Sequence, residues 1–181
     1  MKGVVFNLLQ QSVSERYGED TWDALLDAAG LDGAYTALGT YDDSEALKLV
    51  GAASDALNVG PDDVLRWFGR SALPLLAGAY PTFFEGHGTT RSFLLTLNDI
   101  IHPEVRKLYP GADVPTFDFD TSDPDGLTIG YRSGRKFCSF AEGLIEGAAE
   151  HFGQKVSMSQ PSCMLRGDEK CLIVCSFAAG E

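Results

Sequence analysis

Residues 116–135, TFDFDTSDPDGLTIGYRSGR, decide the fold class. Thr116–Asp120 and Leu127–Tyr131 read as two strands about the turn Ser122-Asp123-Pro124-Asp125-Gly126. Everything before them has the other period. Val5, Leu8, Leu9 and Val13 are spaced for a helix over residues 2–17. Asp20-Thr21 is expected to cap a second helix that ends at Gly30, and Asp43-Ser44 to open a third through Leu57. Pro61-Asp62-Asp63 suits the first turn of a fourth, with a kink at Pro74 and a stop at Tyr80-Pro81. A long apolar helix is predicted from Thr89-Thr90 through His102 to Leu108. Downstream, Phe137–Phe152 returns to helical spacing, and Lys155–Leu165 with Lys170–Phe177 reads as a hairpin about Arg166–Glu169. The order predicts an α+β fold: one domain over 1–181, helical to about residue 115, then β-β-α-β-β from 116.

Composition narrows the function. A chain of 181 residues can bury a core without disulfides, and its net charge of −12 disfavours nucleic acid and anionic membranes. No apolar run approaches the roughly 18 residues of a membrane span, and the start does not read as a secretory signal. A cytoplasmic location is expected. The four cysteines, all from Cys138 onward, are too few for a secreted scaffold and read as core, metal or redox residues. No nucleophile has an evident base, so an enzyme is not expected.

Three groups carry candidate chemistry. His102 lies within the longest apolar stretch, just before Pro103. A neutral imidazole there suits a proximal haem ligand, or else a half-buried histidine near a kink. His87 reads as an exposed loop residue, and His151 as a residue at a helix C-terminus. Tyr131, Ser133 and Arg135, if extended, face one way and offer two hydroxyls and a guanidinium to carboxylates, or else form a polar strand end. Cys163 and Cys171 flank the hairpin turn; Cys138 could join them in a zinc site, while Cys175 lies roughly 13 Å along the strand and should not. The alternative is four small buried hydrophobes.

Together with Pro115 and the helix Gly143-Leu144-Ile145-Glu146-Gly147, these residues resemble the haem-nitric oxide/oxygen binding (H-NOX) family over essentially the whole chain. The resemblance implies haem b between the two parts, with His102 as the sole protein ligand to a five-coordinate ferrous iron. Tyr131, Ser133 and Arg135 would hold the propionates, and Pro115 would press on the ring. The distal wall would come from Val5, Leu9, Pro74, Gly78, Phe140 and Leu144. Family members that bind dioxygen carry a tyrosine where this chain has Phe140, and Leu9 and Pro74 offer no side-chain donor. The expected ligands are therefore nitric oxide and carbon monoxide, with dioxygen held poorly.

Nitric oxide would weaken the iron–His102 bond, free the haem to flatten and let the two parts rotate. A separate histidine kinase or cyclic-di-GMP enzyme would read that change. Some relatives place zinc at the positions of Cys138, Cys163 and Cys171, with a histidine where this chain has Gln160. Three thiols could bind zinc with water or form a disulfide. Two other function classes stay open at this level. One is a haem-independent thiol redox or zinc switch; the other is a binder of an apolar small molecule.

Overall fold

The computed structural model describes residues 1–180; Glu181, the last residue of the expected domain, lies outside them. Four helices come first: α1 (Gly3–Tyr17), α2 (Glu19–Ala29), α3 (Asp43–Leu57) and α4 (Pro61–Ala79). Two of their boundaries differ from the expected ones. Gly18, with φ 92°, ends α1 and starts α2, so the chain reverses at a backbone angle that glycine accepts and Asp20-Thr21 fall inside the first turn. The cap of α3 is Asp42, whose carboxylate accepts from Ser44 N–H at 2.8 Å. Asp43 is thereby free for another partner.

The long apolar helix is broken. It forms α5 (Thr90–Leu94), a π-helical turn over Leu97–Ile101 and α6 (His102–Leu108). Pro103 has no N–H to return to Asp99, and its ring crowds that carbonyl. The turn before it widens, and Ile101 N–H reaches back to Thr96 O at 3.1 Å. His102 thus opens a short helix of its own.

The rest follows the predicted β-β-α-β-β order: β1 (Thr116–Asp120), β2 (Gly126–Arg132), α7 (Cys138–His151), β3 (Gln154–Ser162) and β4 (Cys171–Ala179). The four strands form one antiparallel sheet in the order β1-β2-β4-β3. Strand β2 sits inside this sheet, which is why its Leu127, Ile129 and Tyr131 are all buried. Among the described residues no helix is long and apolar enough to cross a membrane.

Two cores result. One lies between the sheet, α7 and the α5–α6 segment, around Ile129, Ile145 and Ile173; the other joins α1, α2, α3 and α4 around Phe6, Trp22 and Phe68. Helices α4 and α7 bridge them, crossing closely at Gly69, Gly143 and Gly147. Arg66 pairs with Glu142 and Glu146 across the same crossing, and Arg70 with Glu150. Phe68 and Phe140 face each other there with ring centroids 4.8 Å apart.

Candidate haem cavity

A cavity of about 370 Å³ opens between the helical part and the sheet, within the range of small-molecule sites. His102, Pro115, Tyr131, Ser133, Arg135, Val5, Leu9, Phe140 and Leu144 all line it. Pro74 and Gly78 do not. Leu65, Phe68, Leu73 and Leu76 form the inner face of α4, and residues 74 and 78 fall on its exposed side. Pro74 and Gly78 carry no side-chain hydrogen-bonding group, so their place outside the lining leaves the apolar character of this wall unchanged.

The His102 imidazole makes no hydrogen bond among the described residues and lies against Phe117, centroids 5.5 Å apart. Burial, with a smaller push from the Arg106 charge, lowers its pKa to about 4. The ring is neutral at physiological pH, with a lone pair free for a metal. His87, expected to be exposed, packs edge-on against Phe93 instead.

The polar edge is built differently from the expected row. Strand β2 ends at Arg132, and Ser133–Lys136 form a turn closed by Lys136 N–H to Ser133 O at 3.1 Å. Lys136 adopts φ 55°. Tyr131 comes from the strand and Arg135 from the turn, yet all three side chains reach the cavity. Burial pushes the Tyr131 phenol up to about 12, so it stays a neutral donor. Arg135 is only 15% exposed and already holds carboxylates: Nε lies 2.9 Å from Asp43 and a terminal nitrogen 3.2 Å from Asp113, while the Asp113 carbonyl accepts at 2.7 Å. Asp43 also accepts from the chain's N-terminal ammonium at 2.6 Å. The sequence reading missed both aspartates, because a partner so far along the chain leaves no local mark.

A second constellation lies at the start of α7. The sulfurs of Cys138, Cys163 and Cys171 are within 4.8 Å of one another, and Cys175 is not among them. Burial raises the thiol pKa values of Cys138 and Cys171, the latter to about 12. Near Cys138, Gln160 has a buried amide nitrogen. A carboxamide is a poor zinc ligand, and among the described residues no histidine or carboxylate joins the three sulfurs.

The family described as Haem-NO-binding matches residues 2–160. The chain belongs to it. H-NOX proteins of known structure share the fold: that of S. oneidensis in its Fe(II)NO ligation state is 31% identical, over 98% of this chain and 99% of its own, with a TM-score of 0.92. The unliganded Fe(II) protein of K. algicida is 27% identical, over 99% and 98%, with a TM-score of 0.88. Soluble guanylate cyclase gcy-31 of Caenorhabditis elegans is 26% identical over 162 residues, 85% of this chain but 22% of the cyclase. Because the chain spans so little of that relative, nothing about cyclase activity follows. H-NOX domains are haem-based gas sensors, not enzymes, and bind gases such as nitric oxide and carbon monoxide. The residues of this chain fit the group: an unpartnered neutral imidazole, apolar walls on both sides, and a guanidinium with two hydroxyls at one edge.

Proposed function

We propose that this chain senses nitric oxide through haem b, with His102 as the one protein ligand to the iron. The observation that carries this reading is the His102 imidazole: neutral, buried and unpartnered on the wall of an apolar cavity. Haem, when bound, supplies a ferrous iron that coordinates the gas. Tyr131, Ser133 and Arg135 receive the propionates, with Arg135 sharing its charge with Asp43 and Asp113. Pro115, on the cavity wall, would press on the ring. Val5, Leu9, Phe140 and Leu144 keep hydrogen-bond donors away from the gas, which suits nitric oxide and carbon monoxide and disfavours dioxygen.

His102 would tether helix α6 to the iron, and loss of that tether on nitric oxide binding would be the signal. Without it the helical part, 1–115, would shift on the α/β part, residues 116–180. A separate cytoplasmic protein, a histidine kinase or a cyclic-di-GMP enzyme, reads the change. Amide hydrogen exchange tests this without the partner. Nitric oxide is expected to speed exchange across residues 97–108 of the haem-loaded chain. His102→Gly, loaded with haem and free imidazole, is expected to show no such change. An undiminished response in that variant would refute release of His102 as the signal.

A further inference from the structure

We propose that Cys138, Cys163 and Cys171 form a three-coordinate thiolate site for copper(I), with Gln160 serving as a hydrogen-bond donor to the site and not as a ligand. The sulfurs are already gathered: Cys138 to Cys163 is 3.7 Å and Cys163 to Cys171 is 3.8 Å. Sulfurs at such spacing can reach one ion at roughly the 2.3 Å of a metal–thiolate bond. All three are sealed from solvent, at 1, 3 and 0% exposure. They come from separate elements, the first residue of α7 and the two sides of the β3–β4 turn, so folding itself assembles them.

The rest of the shell selects the ion. Zinc in a structural site takes four ligands, and here no histidine or carboxylate joins the three sulfurs among the described residues. Gln160 Nε2 is buried without a hydrogen-bond partner, a cost that needs an explanation. It stands beside Cys138, and its N–H is satisfied once that sulfur becomes a thiolate acceptor. The Met164 backbone N–H already donates to Cys171 Sγ at 3.3 Å. Two N–H donors and no fourth lone pair suit a soft ion content with three sulfurs, and copper(I) is the thiophilic ion of that kind. Binding releases the thiol protons to solvent and changes no oxidation state.

The test uses the full chain with its thiols reduced, under anaerobic conditions, both with and without haem, so that a failure of haem binding leaves it intact. Copper(I), supplied as its acetonitrile complex, is competed against a copper(I)-selective chelator, and zinc is measured in parallel. Expected are one copper(I) per chain with three sulfur neighbours by X-ray absorption, and zinc below ~0.1 equivalent after metal washing. Cys163→Ser is expected to lose the copper, while Cys175→Ser keeps it. Gln160→His, which adds a fourth lone pair, is expected to take up a full equivalent of zinc. Zinc bound by the native chain as tightly as by Gln160→His would overturn the proposal. Copper(I) retained by Cys163→Ser would overturn it equally.

Discussion

Phe140→Tyr is expected to bind dioxygen ten- to a hundredfold more tightly than the native chain does. Bound dioxygen takes up partial negative charge, and a hydrogen bond to a charged group contributes ~1.5–3 kcal/mol. Phe140 lines the cavity beside Phe68, Leu144 and Leu9, none of which can accept the new hydroxyl. In the gas-free protein that hydroxyl is buried without a side-chain partner from this wall, which should cost ~1–3 kcal/mol of stability. The gain in dioxygen binding and the loss of stability therefore come from the same group. Dioxygen titration of the haem-loaded variant, with Phe140→Leu as control, measures the first; denaturant unfolding measures the second. An unchanged dioxygen affinity in Phe140→Tyr would show that position 140 does not face the bound gas.

Gly143→Ala is expected to destabilise the fold by ~1–3 kcal/mol, the usual cost of overpacking. A Cβ at Gly143 would lie 2.0 Å from the Arg66 carbonyl oxygen and 2.9 Å from Arg70 N. Both are backbone atoms of α4, so no rotamer change relieves the clash. The helices must part, and with them the ring pair Phe68–Phe140 at the distal wall. Gly51, in the middle of α3 with no atom within 4 Å of such a Cβ, is the matched control. There the same change should stabilise by ~1 kcal/mol through helix propensity alone. Opposite signs in thermal unfolding are the expected result; Gly143→Ala as stable as the native chain would contradict the tight crossing.

The α+β order was legible because the apolar period changes near Thr116, and Phe117, Phe119, Leu127 and Ile129 carry the strand pattern without help from tertiary contacts. Where the reading went astray, a single residue or a distant partner decided. Pro103 breaks the helix that the apolar spacing predicts, since spacing records sides of a helix and not its hydrogen bonds. Pro74 and Gly78 sit one step around α4 from the face that lines the cavity, a rotation of about 100° that residue type does not reveal. Tyr131, Ser133 and Arg135 reach the cavity as expected, but through a turn at Lys136 and not along an extended strand. Asp43 looked like a helix cap; with Asp42 capping, its carboxylate goes to Arg135. The meeting of Cys138 with Cys163 and Cys171 depends on how α7 docks on the sheet, which local sequence leaves open.

The most direct test of the account is the anaerobic absorption spectrum of the chain purified with ample haem, set beside that of His102→Ala. The native chain should carry one haem with an intense Soret band that shifts on adding nitric oxide, and His102→Ala should lose the band until free imidazole is supplied. A colourless native chain, or an unaltered iron spectrum in His102→Ala, would contradict it.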